Sequence, residues 1–172
     1  MERIVALVGS PRKPGNCELA ARYVAWEAGC DEVELVMLNA KNILPCRACY
    51  RCLEGTCPLE DDYGWIVDRI IAAGAVIISV PSYFFGPNAS AKRFLDRCLQ
   101  LYAIYDQMLG KPAVGICIAG MEFGEGYTKL GVENMMLRMG LQNRGSEIIY
   151  GALPGEIFTV DGNIEVLKKL GR

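Results

Sequence analysis

Histidine is absent from the 172 residues of the chain. This absence excludes Ser-His and Cys-His nucleophile pairs, histidine general bases and histidine metal ligands. A metal bound by this chain would therefore need sulfur or carboxylate ligands.

Long hydrophobic segments and basic runs are also missing. The longest apolar stretch, residues 70–80, has about half of the ~20 residues that a membrane-spanning helix needs. The apolar run of the N-terminal segment MERIVALVGSPR is shorter than the hydrophobic region of a secretory signal, and no cleavage site follows it. The net charge is −2, and no run of five basic residues indicates nucleic-acid binding. We expect a cytoplasmic protein with neither a membrane nor a nucleic-acid partner.

Short apolar segments alternate with segments of helical periodicity, as in an α/β protein. Strands are predicted at 2–8, 33–38, 75–80, 113–120 and 146–153, and helices at 16–29, 59–71, 88–102, 127–140 and 163–170. Continuous apolar strands separated by helices indicate a parallel sheet covered on both faces. We predict one domain over residues 1–172, a flavodoxin-like three-layer sandwich with a five-stranded parallel sheet in the order 2-1-3-4-5. Ligands of such sheets bind beyond the carboxyl ends of the strands, here at loops 9–16, 81–88 and 120–126.

The loop after the first strand, GSPRKPGNC (residues 9–17), is a candidate phosphate site. It precedes a helix, whose N-terminus offers unpaired N–H groups and the positive end of the dipole. Candidate ligand groups are the Ser10 hydroxyl, the Arg12 guanidinium and the Asn16 amide, and Gly15 is expected to supply a left-handed turn. Because the loop matches neither the Walker A nor the dinucleotide pattern, an ordinary turn with solvated charges is the alternative.

The loop after the third strand, PSYFFGPN (residues 81–88), places aromatic side chains at the edge of the same crevice. Aromatic rings held there could pack on a flat heterocycle. The alternative is a hydrophobic loop covered by a neighbouring subunit, and both hold if a cofactor lies at a dimer interface. Gly120, Gly124 and Gly126 give the next loop room for close backbone approach.

Four of the eight cysteines lie between residues 46 and 57, spaced C-x2-C-x2-C-x4-C and followed by Pro58. If the chain curls, these thiols can converge on one centre, as in ferredoxin-type iron–sulfur loops. Zinc is the main alternative, although structural zinc sites usually pair two C-x2-C units across a longer loop. Unligated thiols would leave the regular spacing unexplained, and a reducing cytosol disfavours disulfides. Arg47 and Arg51 would flank a metal group or be plainly solvated.

The remaining cysteines carry weaker signals. Cys30, Cys98 and Cys117 fall at helix-end or core positions and are expected to be small hydrophobic residues. Cys17 falls in the first turn of the first helix, where its N–H could meet phosphate and a lowered thiol pKa is conceivable. Filling of the loop is the alternative role for its sulfur.

Several motifs in this order resemble the iron–sulfur flavoproteins, a branch of the NAD(P)H-dependent FMN reductase group with the flavodoxin-like fold. The motifs are GSPRKPGNC, the cysteine loop, Asp61-Asp62, PSYF and the helix with Lys92, Asp96 and Arg97. The resemblance spans roughly residues 2–120. The cysteine loop separates this branch from most FMN reductases, which lack it.

The resemblance implies two cofactors and an assembly. It implies FMN with its phosphate bound by Ser10, Arg12, Asn16 and Cys17. It places the ring system of FMN against Pro81, Ser82, Tyr83 and Phe84. We add Gly15 and Gly120 to the residues expected to bind the cofactor. It implies a [4Fe–4S] cluster on Cys46, Cys49, Cys52 and Cys57. It also implies a homodimer or homotetramer in which the cluster of one subunit lies near the flavin of another. The family pattern is broken at two positions: Cys17 stands for Thr or Ser, and Phe85 for a glycine.

The leading hypothesis is therefore an electron-transfer oxidoreductase that uses FMN and a [4Fe–4S] cluster, with a ferredoxin or NAD(P)H as electron donor. No catalytic acid or base is assigned, because the cofactors carry this chemistry. One alternative is an NAD(P)H-dependent FMN or quinone reductase whose cysteine loop binds zinc or stays unligated. Another is a non-catalytic interaction module, which would bind no flavin.

Overall fold

The computed structural model of the chain describes residues 3–54 and 57–172, with only the backbone described at 102–104. Residue 2 of the predicted first strand, Gly55 and Thr56 of the cysteine loop, and the Tyr102 side chain of the predicted third helix lie outside the described residues.

The strands form one parallel sheet with a short antiparallel extension. Within the described residues the strands are β1 (Ile4–Val8), β2 (Glu34–Met37), β3 (Ala75–Tyr83), β4 (Gly86–Pro87), β5 (Pro112–Ala119) and β6 (Gln142–Tyr150). The parallel strands follow the order β2-β1-β3-β5-β6, and β4 pairs with the end of β3. The predicted flavodoxin-like order 2-1-3-4-5 is thus confirmed, with β4 as an additional strand. The predicted loop 81–88 is in fact a β-hairpin.

Five α-helices are seen in the described part of the chain: α1 (Asn16–Glu27), α2 (Tyr63–Ala72), α3 (Ala89–Asp96), α4 (Thr128–Arg138) and α5 (Asn163–Gly171). None of these described helices is long and apolar enough to cross a membrane. Asn88 caps α3 as predicted, because its Oδ1 accepts from the N–H of Ala91.

Two predicted helices differ from the structure by four or more residues at one end. The helix predicted over 88–102 ends at Asp96, and residues Cys98–Gln107 continue as a 3₁₀ helix. The backbone there forms i→i+3 bonds, from Arg97 to Phe94 and from Gln100 to Arg97, which wind the chain more tightly. The helix predicted from residue 59 begins at Tyr63, whose N–H is accepted by the Asp61 carboxylate two residues earlier.

The sheet is buried on both faces, which explains the continuous apolar runs of its strands. Along β1, Val5 and Leu7 face one helix layer, and Ala6 and Val8 face the other. The first layer includes the apolar faces of α2, α3 and α4, and the second includes those of α1 and α5. The helices cover the two faces of the sheet, and the loops border the carboxyl ends of its strands. Ligand sites of this fold form at that edge.

The packing of two glycines gives a matched test of the core. A β-carbon at Gly115, in β5, would lie 2.6 Å from Val132 Cγ1 and 2.8 Å from Ser146 Oγ, whereas one at Gly64, in α2, would meet no atom within 4 Å. We expect Gly115→Ala to lower the free energy of unfolding by about 1–3 kcal/mol through overpacking. Gly64→Ala should raise it by about 0.4–1 kcal/mol, because the unfolded chain loses freedom. Urea unfolding measures both, and effects of the same sign would contradict the packing described.

Candidate functional site

The loops that follow β1, β3, β5 and β6 surround a cleft of about 170 Å³ at the carboxyl edge of the sheet. Its lining includes most of the residues predicted to bind a cofactor: Ser10, Arg12, Asn16, Cys17, Pro81, Ser82, Tyr83 and Gly120. Ile118, Gly151 and Ala152 complete it. Gly15 and Phe84 are not among the lining residues. The volume is below the roughly 300–1,000 Å³ of pockets that enclose a drug-sized ligand, so a larger molecule would extend onto the surface beside the cleft.

Gly15 lies at the N-cap of α1, but its role differs from the predicted one. Its φ is −128°, an extended conformation, so the expectation of a left-handed turn is wrong. The residue must instead be small, because a β-carbon would lie 2.8 Å from the carbonyl oxygen of Arg12. Close approach of the loop backbone to itself, and not an unusual dihedral angle, requires glycine here.

The first turn of α1 presents free donors to the cleft. The earliest N–H that bonds within the helix is that of Leu19, to Gly15 O at 3.0 Å, which leaves the N–H groups of residues 16–18 without a helical acceptor. The buried Ser10 hydroxyl lies beside them and accepts from the N–H of Arg12 at 3.2 Å. The Arg12 guanidinium reaches over the cleft and donates to Ala152 O at 2.6 Å. This group of donors suits an anion such as phosphate.

The side chain of Asn16 joins α1 to the loop after β6. Its Nδ2 donates to the carbonyls of Gly151 and Leu153, at 2.9 Å each, and its Oδ1 accepts from the N–H of Gly155 at 2.8 Å. The amide is thereby committed to the protein, so Asn16 can offer an anion its backbone N–H and not its side chain.

The loop after β6 was missed by the sequence analysis. The signal was present, because the last predicted strand neighbours the fourth in the predicted order and its carboxyl end falls at the same edge. The strand was however predicted over 146–153, whereas β6 spans Gln142–Tyr150, so Gly151 already belongs to the loop. A β-carbon at Gly151 would lie 2.9 Å from Ile157 Cγ2.

The thiol of Cys17 is buried and neutral. Burial raises its pKa to about 12, so the lowering considered for a cysteine at a helix N-terminus is not found. Burial likewise raises the pKa of Cys98 and Cys117 to about 12, as expected for small core residues. At these three positions, the thiol therefore stays protonated near neutral pH.

The aromatic hairpin stands at the edge of the cleft. Tyr83 pairs with Gly86, so Phe84 and Phe85 form the two-residue turn, with φ of 50° and 67°. Two-residue turns with both residues left-handed match the twist of a hairpin but favour Asn and Gly, and bulky residues there are strained. The Phe84 side chain is 97% exposed. The aromatic side chains predicted at the edge of the crevice therefore lie on a strained turn that is exposed to solvent.

Hydrogen bonds join the hairpin to the loop after β5. The N–H of Tyr127 donates to Phe85 O at 2.9 Å, and the Ser82 hydroxyl donates to Gly124 O. At Gly126, with φ of 41°, a β-carbon would lie 2.5 Å from Phe85 O. The two loops are therefore joined into one lip of the cleft, which carries several exposed apolar side chains: Phe84, Phe85, Met121, Phe123 and Tyr127.

The base of the cysteine loop is closed by two adjacent carboxylates. Asp62 Oδ2 accepts from the N–H of Asn42 at 2.7 Å, and Asp61 Oδ2 accepts from the N–H of Leu44 at 2.8 Å. The Asp62 N–H returns a bond to Asn42 O at 2.9 Å. Residues 42–44 and 61–62 are thus held together, and the intervening chain must leave and return at one place.

Arg97 completes this closure from the end of α3. Its Nη1 lies 2.6 Å from Asp61 Oδ2 and 3.1 Å from Leu44 O, and its Nη2 lies 3.5 Å from Cys57 Sγ. The two charged side chains are almost fully buried, with 2% of Arg97 and 1% of Asp61 exposed. Burial alone raises the pKa of Asp61, but hydrogen bonds from Arg97 and from two backbone N–H groups outweigh it and lower that pKa.

Between its clamped ends the loop curls. Ala48 and Tyr50 adopt the left-handed conformation, with φ of 51° and 58°, which turns the chain back between successive cysteines. All four cysteines of the loop line one small cavity, together with Arg97, Leu99 and Gln100. Among the described residues, however, no group of three or more Cys, Asp or Glu side chains is arranged to hold a metal ion. The sulfurs would therefore have to move closer to bind one.

The surroundings of the cavity fit a sulfur-ligated anionic group. Burial raises the pKa of Cys52, and the neighbouring sulfurs of the loop raise it further, so gathering four thiolates here is unfavourable without a cationic metal. The buried Arg97 Nε and Gln100 Oε1 have no hydrogen-bond partner in the described part of the protein. Four thiols and a buried cation match the donor set and the charge of an iron–sulfur cluster.

Comparisons with known proteins agree on one family. The family model described as NADPH-dependent FMN reductase matches residues 2–149. An iron-sulfur flavoprotein of Archaeoglobus fulgidus is 32% identical over 160 residues, covering 90% of this chain and 71% of that protein. An iron-sulfur flavoprotein of Methanocaldococcus jannaschii is 29% identical and covers 99% of this chain and 94% of that protein.

Solved structures agree on the fold. The Trp repressor binding protein of Bacillus subtilis superimposes with a TM-score of 0.74 at 22% identity, covering 98% of this chain and 97% of that one. At this identity the likeness establishes the flavodoxin-like architecture alone.

The ion pair between Asp61 and Arg97 makes the free energy of unfolding depend on pH in the acidic range. Because the folded-state pKa of Asp61 is lowered, its stabilising contribution is present above the ordinary aspartate pKa of ~3.9 and is lost as the pH falls below it. We expect Asp61→Asn to lower the free energy of unfolding of the metal-free protein by about 3–5 kcal/mol near pH 7, since Arg97 stays buried without its partner.

That difference from the wild type should shrink as the pH falls from about 4 towards 2, which urea unfolding at several pH values measures. Asp68→Asn, on the exposed side of α2, is the matched control and should leave the curve unchanged. A constant difference across the whole pH range would show that the ion pair does not supply the stability.

Proposed function

The chain belongs to the NADPH-dependent FMN reductase family, on the branch of the iron–sulfur flavoproteins, and is an FMN-dependent oxidoreductase; from this premise we propose that it transfers electrons through FMN and a [4Fe–4S] cluster. One observation carries the cluster half: the four cysteines of residues 46–57 line a single cavity next to a buried arginine. We also propose that residues 1–172 form one functional unit. A cytoplasmic location is proposed because the free thiols of the loop suit a reducing compartment.

The cleft at the carboxyl edge of the sheet is the proposed FMN site. The N–H groups of Asn16 and Cys17 and the Ser10 hydroxyl would bind the phosphate, with the Arg12 guanidinium as the positive charge. Gly120 would leave room for the ribityl chain, and Gly15 would let the phosphate-binding loop pack closely on itself. The ring system would lie against Pro81, Ser82 and Tyr83 of the cleft lining and extend towards Phe84, because the cleft is too small to enclose it.

The four cysteines are the proposed cluster ligands. When bound, the two cofactors supply one-electron and two-electron transfer, which converts between single-electron carriers and hydride donors. The protein contributes the curled loop, the closure at Asp61 and Asp62, and the guanidinium of Arg97. The electron donor is a ferredoxin or NAD(P)H.

A homodimer or homotetramer is the proposed assembly. The lip of the cleft exposes Phe84, Phe123 and Tyr127, at 97%, 82% and 75% of their surfaces. Large exposed apolar patches mark interaction surfaces, and covering this one with a second subunit would also exclude water from the flavin ring. Tyr50 and Leu53 are exposed on the cysteine loop, so a neighbouring subunit there would bring cluster and flavin together.

A second candidate is an NAD(P)H-dependent FMN or quinone reductase whose cysteine loop holds zinc. The description of the family model favours the nicotinamide donor. Zinc would also accept four thiolates, but at about 2.3 Å from each sulfur it demands a tighter loop than an iron–sulfur cubane. Metal content separates the two candidates.

The phosphate site can be tested with FMN and riboflavin. Arg12→Ala should weaken the binding of FMN to the flavin-free protein by roughly 10- to 100-fold, because a hydrogen bond to a charged group is lost. Riboflavin, which has no phosphate, should bind both proteins with similar affinity. Quenching of flavin fluorescence measures both ligands. Lys13→Ala, next to Arg12 in the same loop, is the control. Equal weakening of FMN and riboflavin would contradict a phosphate contact.

The cluster can be tested by metal analysis of protein purified without air. The wild type should contain about four iron atoms per chain, matching sulfide, and FMN. Cys49→Ser should lose the iron and sulfide and keep the flavin, because the FMN cleft lies on other loops. Cys30→Ser, the same change at a buried cysteine outside the loop, should keep both cofactors. Stoichiometric zinc in an iron-free wild type would favour the second candidate.

A further inference from the structure

We propose that Arg97 is a positioning residue that sets the reduction potential of the cluster through its contact with Cys57. The inference rests on the proposed function, since it assigns a role toward the [4Fe–4S] group. Removal of the Arg97 charge should make the cluster harder to reduce while the flavin is unaffected.

The geometry aims the guanidinium at one sulfur. Nη1 is taken by Asp61 Oδ2 at 2.6 Å and Leu44 O at 3.1 Å, and these bonds fix the plane of the group. Nη2 donates to Asp61 Oδ1 and to Cys57 Sγ, each at 3.5 Å. The face of the guanidinium lies on the Tyr63 ring, 4.6 Å from its centre. Because Asp61, Leu44 and Tyr63 restrain it from three sides, the donor to Cys57 is preorganised.

Burial makes this contact electrostatically strong. Only 2% of the Arg97 side chain is exposed, so solvent screens its charge weakly. Arg47 and Arg51 also belong to the loop, but both are exposed. Hydrogen bonds to the ligand sulfurs, net charge and solvent exposure set the potential of iron–sulfur clusters. Reduction adds one electron without forming or breaking a covalent bond, and a nearby cation stabilises that added negative charge.

The rival role is purely structural, because Arg97 also closes the base of the loop with Asp61. A single change to an apolar residue would leave the Asp61 carboxylate buried without a partner, and such a protein could fail to fold. The informative variant is therefore Arg97→Gln combined with Asp61→Asn, which removes both charges and retains hydrogen-bonding groups. Arg97→Lys keeps the positive charge and tests rescue.

The experiment is a redox titration with dithionite under anaerobic conditions. The cluster is followed by electron paramagnetic resonance and the flavin by its absorption, so both midpoint potentials come from one sample. The proteins are the wild type, the double variant, Arg97→Lys and the control Arg51→Gln. Circular dichroism and four-iron content establish that each is folded and loaded before titration.

We expect the cluster midpoint of the double variant to shift to a more negative potential, with the flavin midpoint unchanged. Loss of the Asp61 carboxylate acts in the opposite direction, but Asp61 contacts Arg97 and backbone N–H groups whereas Arg97 itself contacts Cys57 Sγ, so loss of the Arg97 charge dominates. Arg97→Lys should lie between the double variant and the wild type, and Arg51→Gln should match the wild type because its charge is screened. A cluster midpoint that stays at the wild-type value in the double variant, or moves equally in Arg51→Gln, overturns the inference. Failure of the double variant alone to retain iron makes the residue structural and overturns it too. A wild type without iron contradicts the proposed function itself.

Discussion

The buried ion pair of Arg97 and Asp61 is the constraint on which the cysteine loop depends. Asp61 binds the N–H that enters the loop and the N–H that begins α2, and Arg97 binds Asp61, the incoming carbonyl and Cys57. One buried pair therefore fixes both ends of the cysteine loop. Such a pair stabilises only while both partners are present, so neither residue can be changed independently.

Different parts of the fold would hold the two proposed cofactors. The cleft proposed to bind FMN is made by loops at the carboxyl edge of the parallel sheet, and its shape is held by backbone contacts at Gly15, Gly126 and Gly151. The cysteine loop leaves the chain between β2 and α2 and is held by side chains. In the proposed oligomer, the exposed lip of one subunit and the exposed face of the cysteine loop of another would bring the two cofactors together.

The sequence was sufficient for the fold because most strands carry a continuous apolar run and the segments between them have helical periodicity. It also located the cleft residues on the loops after β1, β3 and β5, since the carboxyl ends of neighbouring strands meet by topology, but not those after β6. It could not find the contacts of Arg97, whose partners Asp61, Cys57 and Leu44 lie 36, 40 and 53 positions away. It misread Gly15, because a requirement for space and one for a left-handed angle look the same in one sequence. The hairpin at 81–87 was hidden because two prolines and a glycine within seven residues are typical of a loop.

A crystal structure of the protein purified without air, with anomalous data collected at the iron edge, tests the central claim most directly. The account predicts one iron–sulfur cubane bound by Cys46, Cys49, Cys52 and Cys57, with Arg97 still bound to Asp61 and directed at the sulfur of Cys57. A single tetrahedral ion in the loop, or an Arg97 side chain released into solvent, would contradict it.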